Sequence, residues 1–152
     1  MTKGYKTLLI KTLLVVNCLY PLNNHAQQLE KHRWKHRVLI IKTQSENSKK
    51  ISAQLSEFKN QKEALKERKI VLYTLVNNRY SLTDFTDSTQ NYNEAIRSSF
   101  FKKLLDPDKD FEILLIGLDG QVKIKKDKPL SKETLFGLID AMPMRVYEQK
   151  NN

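Results

Sequence analysis

Two short, unbroken apolar runs, Val38-Leu39-Ile40-Ile41 and Ile70-Val71-Leu72-Tyr73-Thr74-Leu75-Val76, flank a stretch of helical period, and this pattern limits the fold more than any other feature. Runs of this length, rich in β-branched residues and without polar alternation, are strands covered on both faces. Between them Ile51, Leu55, Phe58 and Leu65 fall on one helical face, while Lys49, Lys50, Glu57, Lys59, Glu63 and Lys66 lie mostly elsewhere and Lys62 is the single break in the stripe. Asn47 or Ser48 is placed to cap this helix by accepting a hydrogen bond from a first-turn amide. Strand, helix and strand with short joins make a βαβ unit, which is almost always right-handed with parallel strands.

The rest of the chain extends that unit. Residues 77 to 91, rich in Asn, Ser, Thr and Asp, read as the longest loop, and Ile96, Phe100 and Leu104 then repeat every four residues as a helix up to Asp106-Pro107, where proline forbids continuation. Phe111 to Gly117 is a strand, and Leu118-Asp119-Gly120 is a tight-turn signal in which Gly120 supplies the positive φ that hairpins demand. Val122-Lys123-Ile124-Lys125 alternates apolar with charged, which marks an edge strand protected by its lysines. Ser131 caps a final helix with the apolar face Leu135, Leu138, Ile139 and Met142, Leu130 is placed to staple against Leu135, and Pro143 is the stop. The order predicts an α/β fold of thioredoxin-like kind: a central four-stranded mixed sheet (βαβ, helix, β-hairpin, helix) with helices on both faces.

The first 26 residues have a different composition. They carry Lys3, Lys6 and Lys11, no acid, an apolar run from Thr12 to Leu22, and a small residue, Ala26, at the exit. That is the layout of an export signal, so residues 1–26 are expected to be removed near Ala26, leaving 27–152 as one domain in an extracytoplasmic place, periplasmic or secreted. A spanning anchor needs about 20 apolar residues, and this run is interrupted by Lys11, Asn17 and Pro21. Lipidation at Cys18 is the other alternative, although Asn17 before it and Leu19-Tyr20-Pro21-Leu22 after it are poor context.

Cys18 is the only cysteine. Its removal leaves a mature domain without disulfides, thiolate nucleophiles or cysteine metal ligands. The 27 Lys and Arg, less the three leader lysines, stand against 17 Asp and Glu, a net of +7 on the mature chain. Such an excess suits an anionic partner and equally suits a plain solvated lysine-rich face.

Four segments then resemble a known family. Trp34-Lys35-His36-Arg37-Val38-Leu39-Ile40, Glu67-Arg68-Lys69, Leu115-Ile116-Gly117-Leu118-Asp119-Gly120-Gln121-Val122-Lys123 and Ile139-Asp140-Ala141-Met142-Pro143-Met144-Arg145 together resemble the bacterial domain of unknown function 4174. Leu118 replaces a lysine in that family's Gly-Lys-Asp-Gly turn. The family is similar in turn to a thioredoxin-like domain of animal sushi-repeat-containing matrix proteins, a resemblance that implies an extracytoplasmic life and adhesion or matrix binding.

Candidate sites follow. In a thioredoxin-like fold the reactive position is the loop between the first strand and first helix. Here that loop is Thr43-Gln44-Ser45-Glu46-Asn47-Ser48, which has no thiol for disulfide exchange. Its amides, with Thr43, Gln44, Ser45, Asn47 and Ser48, are a candidate seat for an anion or a peptide carboxylate, set against a plain capped helix start. In Lys31-His32-Arg33-Trp34-Lys35-His36-Arg37, the residues Arg33, Trp34, Lys35 and Arg37 are candidates for polyanion contact, set against Trp34 packing under the sheet. His32 and His36 share a face if that segment is helical, but nearby cations oppose a metal ion and no carboxylate is seen to support either ring. Arg68, Asp119, Gly120, Asp140, Pro143 and Arg145 read as structural, with Glu67 beside Arg68 and with Asp140 and Arg145 bridging around Pro143. A buried arginine there would hold a loop in register. No catalytic constellation, cofactor or metal is expected. The expected function is a non-enzymatic envelope binding or interaction module, whose partner is an envelope protein or an anionic glycan or lipid surface rather than nucleic acid. The alternative is a redox-associated partner of a thiol-bearing oxidoreductase.

Overall fold

The computed structural model describes residues 27–77, 79–87, 91–95 and 104–151. The segment expected to be a leader, with Cys18, and the helix expected across Ile96 and Phe100 lie outside them. In chain order the elements are α1 (Gln27–Glu30), β1 (Arg37–Thr43), α2 (Lys49–Glu57), α3 (Lys62–Glu67), β2 (Ile70–Val76), β3 (Arg79–Asp84), β4 (Asn91–Ala95), β5 (Phe111–Ile116), β6 (Val122–Lys126), α4 (Lys132–Asp140) and α5 (Pro143–Lys150). One mixed sheet has the order β4-β3-β2-β1-β5-β6. β1 pairs parallel with β2 from Arg37↔Ile70 to Thr43↔Val76, and antiparallel with β5 from Val38↔Ile116 to Thr43↔Phe111.

The pleat sorts the apolar runs into two cores. Leu39, Ile41, Leu72, Ile113 and Leu115 face one side, where Ile51 and Phe58, Leu65 of α3, and Leu135 and Ile139 of α4 cover them. Val38, Ile40, Val71, Tyr73, Leu75, Leu114 and Ile116 face the other, with Tyr80 and Leu82 of β3, Leu105, and the flanking Leu29 and Leu104. The four strands expected from the sequence are all present, and β6 is the expected edge.

One strand, β3, was hidden in the expected loop, and another, β4, begins at its last residue and runs on to Ala95. β3 pairs with β2 through a hairpin in which Val76 faces Arg79, and β4 pairs with β3. Asn77 adopts φ 53° in the link, a conformation asparagine tolerates better than most residues. The polar partners Ser81 and Thr83 of Tyr80 and Leu82 gave this stretch a loop-like composition over an alternating strand pattern.

The long first helix is in fact two. Asn60 has φ 61° and the chain breaks there, so Lys62 opens α3 instead of interrupting a stripe. Leu55 is consequently exposed, and Gln54 is buried in its stead. The Gln54 amide donates to Leu130 O at 3.1 Å and accepts from Leu130 N at 2.7 Å, tying α2 to the start of α4. Ser48 is the N-cap residue of α2, but its side chain makes no cap bond. Ser131 does cap α4, accepting from Thr134 N at 3.2 Å. In the β5–β6 turn Gly120 has φ 78°, and its N–H donates to Gly117 O at 3.0 Å, with the register shifting between Leu115 and Ile116. Pro143 ends α4 and also begins α5, where its missing N–H has no helical partner to lose.

An ionic cluster closes the end of the sheet where β1 begins. Arg145, fully buried, donates to Glu67 O at 3.2 Å, to Asp140 Oδ1 at 3.3 Å and to Glu67 Oε1. Arg68 pairs with Asp140 at 2.6 Å and stacks its guanidinium 4.3 Å from the Phe136 ring centre. Arg37, also fully buried, donates to Arg68 O at 3.0 Å and to Glu148 Oε2 at 3.2 Å, and Lys69 reaches Glu148 Oε1 at 3.1 Å. Burial pushes the Arg37 guanidinium below its ordinary pKa against the pull of Glu148. For Arg145 burial also pushes down, but its bonds to Glu67 and Asp140 outweigh it and hold the group up.

Glu148 is held below the usual carboxylate range, because Lys69 and Arg37 outweigh the burial that alone would raise it. A depressed folded-state pKa adds stability above the unfolded value of the group, and that stability is lost as pH falls through the folded value. Glu148→Gln is therefore expected to lower unfolding free energy by about 2 kcal/mol at pH 7, since it strands part of a buried pair. In urea unfolding, the gap from wild type should narrow steadily as pH falls below the ordinary carboxylate range and Glu148 takes up its proton. A gap that stays constant across that range rules out the ion pair as its source.

Candidate functional site

The loop after β1 is satisfied largely by itself. Thr43 Oγ1 donates to Ser45 O at 3.1 Å and accepts from Ser45 N at 3.3 Å, and Ser45 Oγ accepts from Asn47 N at 3.3 Å. Gln44 N donates to Asp110 O at 3.1 Å and Ser48 N to Ser45 O at 3.2 Å. Thr43, Gln44, Ser45, Asn47 and Ser48 are thus brought together, with Thr43 buried and the next four residues exposed. Beside them a groove of about 430 Å³ runs between α2 and the β2–β3 surface, lined by Glu46, Ile51, Leu55, Thr74, Arg79 and Tyr80 among others. The one loop residue on its wall is Glu46. A carboxylate at the mouth, with Asn47 N already committed, works against an anion at this helix start.

At the other end of β1 the chain arrives through a turn over residues 31–35. Lys35 N and His36 N both donate to His32 O, at 3.0 and 2.8 Å, and Trp34 N donates to Leu118 O at 2.7 Å. The turn puts Trp34 at φ 64°, in the left-handed region, and the indole points outward, 61% exposed. The expectation that Trp34 packs under the sheet is corrected here: the inward position of the turn belongs to His32, which is 5% exposed. The Arg33 guanidinium lies 5.5 Å from the Trp34 ring centre, and Lys31 and Lys35 are exposed on either side. Gly120 and the β5–β6 turn lie against the Arg33 stem. Asp119 fixes that turn, accepting from Gln121 N at 3.1 Å and Lys123 Nζ at 2.6 Å. Arg37 does not join the group as expected for polyanion contact; as the first residue of β1 it is buried in the ionic cluster.

Behind the turn runs a chain of polar side chains. His32 Nε2 lies 2.8 Å from Tyr73 Oη, His32 Nδ1 lies 3.1 Å from His36 Nδ1, and His36 Nε2 lies 3.4 Å from Thr86 Oγ1. Thr86 donates its hydroxyl proton to Asp84 Oδ1 at 2.6 Å, and the same oxygen accepts from the N–H groups of Thr86 and Asp87 at 2.8 and 3.3 Å. A carboxylate therefore does support His36, through a threonine; the sequence hid it because Asp84 and Thr86 lie at the end of a strand read as loop. Burial first, then Lys31 and His36, drives the His32 pKa down to about 4 against the opposing field of Asp84. Burial also lowers His36, aided by Lys35 and Lys69 and opposed by Asp84. Both rings line a pocket of about 260 Å³ whose walls include Leu29, Val38, Leu104 and Ile116.

A bulky residue in the left-handed region carries about 1 kcal/mol of backbone strain, and an outward indole gains little from burial. Trp34→Asn should therefore leave stability unchanged or raise it by up to about 1 kcal/mol in chemical denaturation. A loss of more than about 1 kcal/mol would show that the indole packs.

Comparison with known proteins follows the architecture. The model of the family described as Domain of unknown function (DUF4174) matches residues 28–148. A solved structure of Plasmodium vivax 2-Cys peroxiredoxin in its reduced form superposes with a TM-score of 0.52 over 82% of this chain and 85% of that one, at 14% sequence identity. At that identity the likeness concerns the fold alone, and the fold is thioredoxin-like. No curated protein matches the sequence.

Proposed function

The chain belongs to the domain of unknown function family DUF4174, and on that premise we propose that it works outside the cytoplasm as a non-enzymatic module that binds an anionic glycan. The observation that carries the reading is Trp34. A protein gains nothing in stability from holding a tryptophan outward on a left-handed turn, and residues kept in such conformations concentrate at recognition sites. The indole offers a flat apolar face of the kind that stacks on sugar rings, and Arg33, Lys31 and Lys35 supply cations around it. The net charge of +7 on residues 27–152 adds long-range attraction for a polyanion.

The thiol-lacking loop supports the non-enzymatic half of the reading. The loop where a thioredoxin-like fold would carry its thiol holds hydroxyls at Thr43, Ser45 and Ser48 and no cysteine, and a hydroxyl cannot form the mixed disulfide through which exchange proceeds.

Because Trp34 is the only tryptophan, its fluorescence reports on the site directly. Titration of the exported form with a sulfated polysaccharide should shift or quench the emission. The response should weaken steeply as salt rises from about 0.1 to about 1 M, as the screening length drops from about 10 to about 3 Å. Emission that does not change at saturating polysaccharide, or disulfide reduction catalysed by the isolated protein, would overturn the proposal. The second result would instead favour the redox-associated reading.

A further inference from the structure

We propose that the groove between α2 and the β2–β3 surface is a binding site for a small zwitterion of dipeptide size, with Arg79 taking its carboxylate and Glu46 its ammonium. Arg79 opens β3 and Glu46 precedes α2, so the two charges stand on different elements that both line the groove. Elsewhere this chain matches acids to arginines, as Glu67, Asp140 and Glu148 show. Glu46 and Arg79 are different: both are exposed, and neither side chain has an ion pair or hydrogen bond among the described residues.

The strand pairing builds the floor. Thr74 lies directly across from Ser81 and Val76 from Arg79, and the side chains of such cross-strand pairs emerge on one face of the sheet. Thr74 and Ser81 are half-buried, and their hydroxyls make no hydrogen bond among the described residues. Apolar surface comes from Ile51, Val76 and Leu55, the last left 41% exposed because Gln54 takes the inward place on α2. A cation, an anion, two uncommitted hydroxyls and an apolar wall are the mixture that orients a small ligand.

Charge decides the class of that ligand. A simple anion gains Arg79 but meets Glu46, and a simple cation gains Glu46 but meets Arg79. A molecule carrying both signs gains from each, and the same two residues reject the singly charged competitors. Size narrows the choice. A volume of about 430 Å³ falls within the roughly 300–1,000 Å³ of sites that hold small molecules. Such a volume is roughly 7–8 Å on a side, and two extended residues span at most about 7 Å. A free α-amino acid carries its ammonium and carboxylate on one carbon and cannot spread them between two elements. A dipeptide does so, and it keeps a peptide group for Thr74 and Ser81 and an apolar side chain for Leu55.

The test uses the full chain, with alanyl-leucine as the probe. In amide NMR spectra, millimolar alanyl-leucine should shift the signals of Ser52, Leu55, Thr74 and Ser81 and leave those around Trp34 in place. Acetylating the amine of the probe, or amidating its carboxylate, should weaken binding by about threefold or more, the scale of an exposed ion pair. Arg79→Gln should abolish the effect of amidation and keep that of acetylation, and Glu46→Gln should do the reverse. Both positions are exposed, so neither variant threatens the fold. Unmoved signals at those four amides in tens of millimolar probe would overturn the site. So would capped probes that bind as well as the free one, or caps that weaken binding to both variants as much as to wild type. The glycan reading stands or falls separately, because it is read from the emission of Trp34 at the opposite end of β1.

Discussion

β1 has neither a free edge nor a wet face, and the rest of the molecule is arranged around that fact. It is paired on one side with β2 and on the other with β5, and from Arg37 to Ile41 every residue is buried. A strand so placed must be apolar along its length and must have its two ends resolved by other elements. At the C-terminal end Thr43 turns into the loop that starts α2. At the N-terminal end the chain enters at Arg37, whose long polar side chain has nowhere to go but inward.

Burying Arg37 is expensive, and it explains the ionic cluster. Desolvating a guanidinium costs several kcal/mol unless charge and hydrogen bonds replace its water. Glu148 from α5 and the Arg68 carbonyl provide part of that, while Arg37 Nε and Nη2 are buried without a partner among the described residues. Arg145 does for the junction of α3, α4 and α5 what Arg37 does for β1, and Asp140 serves both Arg145 and Arg68. The net effect is positional: carbonyls and carboxylates that would otherwise be free to shift by a turn are fixed to two immovable guanidinium planes.

Much of this was legible in the sequence, and the failures share one cause. Unbroken apolar runs such as Val38–Ile41 and Phe111–Ile116 announce buried strands because nothing else has that composition at that length. The Asp119-Gly120 turn, the Ser131 cap and the Asp140–Arg145 bridge are local, set by residues at most five apart in the chain. What stayed hidden was decided at long range. β3 is a strand because β2 offers it an edge, so its Ser and Thr content misleads. Leu55 is exposed and Gln54 buried because Leu130, 76 residues away, offers Gln54 both a donor and an acceptor. The outward indole and inward imidazole depend on Leu118 O taking the Trp34 amide, a contact that spacing within the segment cannot announce.

The same logic places the chemistry of the domain. A thioredoxin-like fold normally concentrates reactivity at the C-terminal end of its first strand, where a helix start lowers a thiol pKa. Here that end is closed by Thr43 and Ser45 bonding to each other and is guarded by Glu46. The strained backbone, the exposed aromatic and the paired imidazoles all sit at the N-terminal end of the same strand. Both ends are anchored equally well by the central position of β1, so a rigid platform is available at either. The first holds no thiol in the loop from Thr43 to Ser48, and the second carries the exposed indole of Trp34 over the paired rings of His32 and His36.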